Sequence, residues 1–209
     1  MKPLSLINSN TGFHFVEVTH STNIVLHEKV EKNKISDMET PDFYCVFTDF
    51  QTQGKGQGSK TWSSNKGENI LASFFFQPNI LPNQQIYFNY FFALTIRAVL
   101  SNYVENVFIK KPNDIYVDNK KIAGILIEHN IQGEKLKYSI AGVGININQT
   151  RFDFALPNPT SLKLLTGKTF DREIILEEIR KIGKHYYELL QKGAFLPLEK
   201  EYESYVKIY

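Results

Sequence analysis

The chain has a single cysteine, Cys45, which excludes an intramolecular disulfide and a cysteine-based zinc site. That cysteine lies inside the apolar run FYCVF, where a thiol serves as a small buried hydrophobe rather than as a nucleophile. Long apolar runs are missing too: no window of about 18 residues is apolar and free of charge, so no membrane-spanning helix is expected. The opening MKPLSLINSNTGF lacks the apolar centre of a signal peptide. Neither sign of charge dominates, since 24 lysines and arginines against 22 acidic residues leave a formal charge of +2. A dedicated nucleic-acid binder carries a larger excess, so any basic patch here must be local. Internal repeats and low-complexity tracts are absent as well. These absences predict a soluble, cytoplasmic protein that neither enters a membrane nor binds nucleic acid.

What is present is a globular composition, 42% hydrophobic and 22% charged, with 16 Phe and 11 Tyr in 209 residues. That length and composition suit one domain with a real core. GFHFVEV (12–18) alternates as a strand does, and Ser21 or Thr22 can cap a short helix after it. A polar connection at 32–43 leads to a strand at 43–50, a glycine-rich segment, and a strand at 68–78 stopped by Pro78. The long apolar stretch 83–105 reads as a buried helix packed on a sheet. VFIK must end before Pro112, and DIYVDNKKIAGILIEHN reads as a hairpin turning near Asp118-Asn119. A strand at 136–150 and helices in the last third complete an α+β class: a mixed, largely antiparallel sheet with helices packed on its faces.

Four segments carry residue types suited to chemistry. GKGQGSKTW (54–62) combines glycines, which let backbone N–H groups converge on an anion, with Lys55, Lys60 and the chain's one tryptophan. It matches neither a P-loop nor a dinucleotide fingerprint, so a nucleotide site here must be of another kind; a mobile solvated loop is the alternative. IKKPNDIYVDNKKIAGILIE (109–128) sets two lysines at a strand end, where a compact ammonium can meet a carboxylate or phosphate. Asn113 and Asp114 then either shape a turn or, for Asp114, help hold Mg²⁺ on phosphates. AGVGININ (141–148) places two glycines inside a strand, which asks for close approach by a ligand or another chain segment. HSTN (20–23) groups small polar side chains that either cap a helix or bind an amide-like group.

In this order, with STN, Q-x-x-G-K-G closing in Trp, K-K-P-N-D-I-Y with K-I-A-G-I-L-I-E, and G-V-G-I-N-I-N, the chain resembles the biotin protein ligases from about His20 to Asn148. The resemblance implies a class II synthetase-like catalytic domain that joins biotin to ATP as biotinyl-5′-AMP. The biotinyl group then passes to a lysine of a biotin carboxyl carrier domain. Carried over residue by residue, it implies that Ser21, Thr22, Asn23 and Gln51 hold the ureido ring. Lys55, Gly56 and Gln57 belong to a loop over biotin, and Lys110 is the catalytic cation beside the biotin carboxylate and the α-phosphate. Gly124 and Gly142 make floor space for biotin. Gly54, Lys60, Trp62, Asn113, Asp114, Lys121, Gly144 and Asn146 fall on the ATP or adenylate side. Mg²⁺ accompanies ATP, with Asp114 the one candidate protein contact.

The chain departs from the family in two motifs. GKGQ replaces GRGR, so Lys55 and Gln57 stand for two arginines and weaker retention of the adenylate is expected. KKPND replaces KWPND, with Lys111 where a tryptophan packs. The expected organisation is one catalytic domain over 1–209, with no winged helix before residue 13 and a C-terminal SH3-like domain absent or vestigial, as a monomer or homodimer. Lipoate or octanoate transfer on the same fold, and retention of biotin without transfer, are the alternative functions.

Overall fold

The computed structural model describes residues 12–32 and 43–207. The connection read at 32–43 lies almost wholly outside the described residues. A seven-stranded sheet runs in the order β1-β2-β3-β7-β6-β5-β4, formed by β1 (Phe13–Thr19), β2 (Tyr44–Gln51), β3 (Ile70–Phe76), β4 (Val107–Lys110), β5 (Asp114–Val117), β6 (Lys120–Gln132) and β7 (Lys135–Ile145). Only β1 and β2 pair in parallel; the other neighbours are antiparallel. The mixed, largely antiparallel sheet of the α+β class is therefore what the chain builds.

The central strands β3 and β7 are covered on both faces, which is why ILASFFF is buried throughout and apolar at every position but Ser73 instead of alternating. One face carries α1 (Thr22–Glu31), which buries Leu26 against Val46, Phe75, Tyr138 and Ile140. The opposite face carries α2 (Gln85–Ser101), α4 (Arg172–Gln191) and α5 (Phe195–Ser204) over the main core. There Phe43, Phe76, Phe88, Phe91 and Tyr187 meet largely edge to face, with Phe43 and Phe76 centroids 4.8 Å apart. Aromatic rings prefer that geometry to a face-to-face sandwich. Cys45 is fully buried, and burial pushes its thiol well above the usual range, so it packs as a hydrophobe.

The structure departs from the sequence reading at several element limits and in one connection. The helix expected over 83–105 begins as a 3₁₀ turn at Pro82–Gln84 and is α-helical only over Gln85–Ser101. The strand expected over 136–150 stops at Ile145, because Asn146 donates its N–H to Ile122 and Asn148 donates its own to Glu68. Asn148 then clamps Phe170 through both ends of its amide, so it does not share a strand face with Asn146. Finally, β1, α1 and β2 form a βαβ unit that the absence of regular alternation had not suggested. The hairpin turn falls where expected, between Val117 and Lys120, with Asp118 at a φ of 50°.

Candidate active site

The face of the sheet that carries α1 also carries the functional side chains, because strand alternation sends every second residue there. On β7 these are Tyr138, Ile140, Gly142 and Gly144; on β6, Gly124, Leu126 and Glu128. Register sets Gly124 opposite Gly144 and Leu126 opposite Gly142. A cavity of about 690 Å³ spans this face from Gln51 on β2 to Lys110 at the end of β4. It is lined by Ser21, Thr22, Asn23, Gln51, Lys55, Gly56, Gln57, Lys60, Trp62, Lys110, Asn113, Asp114, Lys121, Gly124, Gly142, Gly144 and Asn146. Of the residues singled out in the sequence only Gly54 stands outside this wall. It is buried behind the loop, where an added Cβ would lie 2.4 Å from the Trp62 carbonyl oxygen.

The polar end is built around the start of α1. Ser21 occupies the cap position but makes no capping hydrogen bond. Instead the Thr22 N–H donates to Gln51 Oε1 at 2.8 Å, so a side chain from β2 satisfies the open end of the helix. Gln51 Oε1 lies 3.2 Å from Thr22 Oγ1 as well, which turns the Gln51 amide nitrogen away as a donor. Ser73 on β3, fully buried, donates to Asn23 Oδ1 and sits 2.6 Å from Thr22 Oγ1. Asn23 Nδ2 donates to Glu128 at 2.6 Å, and His27 Nε2 lies 3.3 Å from the same carboxylate oxygen. The His27 contact, then the Asn23 hydrogen bond, hold the Glu128 carboxyl below its ordinary range against the opposing effect of burial. Ser73, His27 and Glu128 were not identified from the sequence; Glu128 closes a quoted motif, and that was the signal for it.

The glycine-rich segment is a closed hairpin. Trp62 donates to Gly54, Lys55 bridges Thr61, and Gly56 donates to Lys60. Its fold delivers the Trp62 indole onto the Gly124–Gly144 pair, where a Cβ on Gly144 would stand 2.2 Å from the ring. Asn23 likewise lies on Gly142, 2.4 Å from where a Cβ would be. The space a side chain would take at these glycines is filled by Trp62 and Asn23, and the glycines themselves still line the cavity beside them. The buried Trp62 Nε1–H has no protein acceptor among the described residues.

The cationic end is the β4–β5 turn. Lys110 pairs in register with Asp114, and its ammonium sits 5.0 Å from the centre of the Tyr116 ring. Asn113 is tied to β6 through its side chain and its backbone, both to Ile125, so its amide shapes the turn. Asp114 Oδ1 is 2.6 Å from Lys121 Nζ, an ion pair about a quarter exposed on each side. Among the described residues no group of three or more His, Cys, Asp or Glu could hold a metal, and the Asp114 carboxylate is already paired. Lys111 turns to α5, where it pairs with Glu203 at 2.7 Å, which accounts for a lysine at this position.

A further wall came from a segment the sequence reading left unassigned. Phe152, Leu156, Pro157 and Pro159 line the cavity beside Lys121, fastened by hydrogen bonds from Lys121 to Asn158 and from Thr160 to Lys121. Across the site, then, neutral hydrogen-bonding groups, a flat aromatic wall and five lysines share one cavity. Among the described residues no helix is long and apolar enough to cross a membrane.

Known proteins share this arrangement of elements. The chain is 31% identical over 205 residues to the bifunctional ligase/repressor BirA of Bacillus subtilis, covering 93% of this chain and 60% of that protein. It is 27% identical over 168 residues to biotin–protein ligase 2 of Arabidopsis thaliana, covering 76% and 49%. The chain thus spans about 60% of the length of the bacterial relative. In fold it resembles the biotin protein ligase of Aquifex aeolicus in complex with biotin and ATP, with a TM-score of 0.74 at 22% identity over 93% of this chain and 78% of that one. It also resembles the Leishmania major enzyme in complex with biotinyl-5-AMP, with a TM-score of 0.73 at 20% identity over 93% and 81%. Residues 15–146, more than half of the sequence and all of the cavity floor, match the biotin/lipoate A/B protein ligase family, and the chain belongs to that family.

Proposed function

We propose that this protein activates biotin with ATP, giving biotinyl-5′-AMP and pyrophosphate, and then transfers the biotinyl group to a lysine of a biotin carboxyl carrier domain. The observation that carries the proposal is the continuity of one cavity from the Thr22–Asn23–Gln51 cluster to Lys110. A ring urea presents two N–H donors and one carbonyl acceptor, and the cluster offers neutral groups of both kinds in a buried setting. An acyl chain running from that cluster along the glycine-floored strands brings its carboxylate toward the lysines.

In the first step a biotin carboxylate oxygen attacks the α-phosphorus. The bond to the β-phosphate oxygen breaks, and pyrophosphate departs with the electron pair. Two anions must meet, so the cost of bringing them together is lowered by a fixed cation, and Lys110 supplies it. Mg²⁺ enters as part of the nucleotide substrate rather than as a resident ion. In the second step the carrier lysine amine attacks the acyl carbon, AMP leaves, and the amine proton passes to solvent. Trp62 and the 152–159 segment exclude water from the anhydride in between. Solved structures of the same fold hold biotin with ATP, and biotinyl-5-AMP, which are the substrates and the product of the first step.

Biotin-dependent ATP–pyrophosphate exchange tests the proposal. The parent protein should exchange with biotin and not with lipoate, whose apolar ring gives the buried amides no partner. Lys110→Ala should lower the rate by about 10²–10³, the scale for removing one preorganised group facing developing charge. A parent protein that binds biotin without exchange would make this a binding protein instead.

A further inference from the structure

Glu128 closes the KIAGILIE motif on the same face of β6 as Gly124 and Leu126, yet it does not line the cavity. It reaches the site through Asn23, which is only 4% exposed. We infer that Glu128 is a positioning residue: by accepting from Asn23 Nδ2 at 2.6 Å it fixes which way round the Asn23 amide faces, and so which donor and acceptor the cavity offers a ring urea. This inference rests on reading the cavity as a biotin site.

An amide has two nearly isosteric orientations, and only its partners distinguish them. On one side the partner is the Ser73 hydroxyl, which donates to Asn23 Oδ1 but could equally accept from a nitrogen placed there. Ser73 therefore does not choose. An ionised carboxylate only accepts, so a turned amide would set Oδ1 against Glu128 Oε2 at hydrogen-bond distance with no proton between them. Glu128 chooses. The carboxylate is kept in its ionised form by His27 Nε2 at 3.3 Å and by the attraction of Lys55 from the glycine hairpin, besides Asn23 itself. Asn23 cannot escape by tilting, because its Oδ1 already lies where a side chain on Gly142 would begin.

The test compares exchange kinetics of the parent, Glu128→Leu and Glu128→Gln, with thermal melts of all three. Glu128→Leu should raise the KM for biotin about tenfold or more, the scale of one lost charge-assisted hydrogen bond, with kcat and the KM for ATP within about twofold. Glu128→Gln, whose amide can either accept from Asn23 or donate to it, keeps the shape but loses the choice and should recover little of the loss. Discrimination between biotin and 2-iminobiotin, which exchanges the ureido oxygen for nitrogen, should narrow in Glu128→Leu. An unchanged KM for biotin, or parallel changes in both KM values, kcat and melting temperature, would overturn the positioning role alone. A parent that neither exchanges nor binds biotin would overturn the reading of the site, and the inference with it.

Discussion

At the scale of single residues, the wall of the cavity depends on side chains that are absent. Gly124 and Gly144 face each other across β6 and β7, and the Trp62 indole lies on both. Adding one methyl group at Gly144 puts a carbon 2.2 Å from the ring, so either the indole or the strand must move. Gly144→Ala should lower stability by about 1–3 kcal/mol, the range for overpacking a filled site. It should also change the emission of the chain's one tryptophan; unchanged fluorescence and melting would show that Trp62 is not seated there. The motif residues of this wall were legible in the sequence because glycine, lysine and asparagine stand out in apolar strands. Ser73 was not legible: it sits inside ILASFFF, and its place beside Thr22 and Asn23 follows from tertiary packing between α1 and β3.

At the scale of elements, the turn that carries Lys110 is fastened from behind. Lys111 pairs with Glu203 on α5 while Phe108 and Tyr116 stack across β4 and β5, their ring centres 5.9 Å apart. The Lys111–Glu203 pair is about half exposed, so its coupling in a double-mutant cycle should fall below about 1 kcal/mol. A larger coupling would mean that α5 is held by this contact rather than by its apolar face. The sequence reading found each of these elements from periodicity and from Pro112. It could not find their mutual fastening, since Lys111 and Glu203 are far apart in the chain and carry no local signal. Its one missed unit, the β1–α1–β2 crossover, has its return connection outside the described residues.

At the scale of the whole molecule, the helical layer buries phenols that must stay neutral. Burial, then the neighbouring Tyr90 and Glu203, push Tyr202 up to about 12; burial and Glu178 do the same for Tyr103; and Tyr186 is raised by burial and Glu201. A folded-state value above the ordinary 10 means that the folded protein keeps protons the unfolded chain releases. The associated stability is complete below pH 10 and is lost as pH rises through about 12. Thermal midpoints should therefore fall steeply from pH 10 upward, and less steeply for Tyr202→Phe. Equal slopes for the two proteins would place the alkaline transition elsewhere.

The last described residues bear on a different hazard. β4 is the final strand of the sheet, and a bare strand edge is a template on which other chains can pair. Here Ile109 donates to the Tyr205 carbonyl and Lys207 donates to the Ile109 carbonyl, so Tyr205–Lys207 lies along that edge like a zip fastened by two bonds. The Lys207 ammonium, 4.4 Å from the Phe108 ring centre, leaves a charge where a foreign strand would dock. Part of the edge nearest the cationic end of the cavity is thereby occupied by a few residues of the same chain. Lys207→Pro removes one donor and the charge together, and light scattering at rising concentration should show association well before the parent protein does. Should it stay monodisperse, the shield lies in the twist of β4 rather than in the segment laid along it.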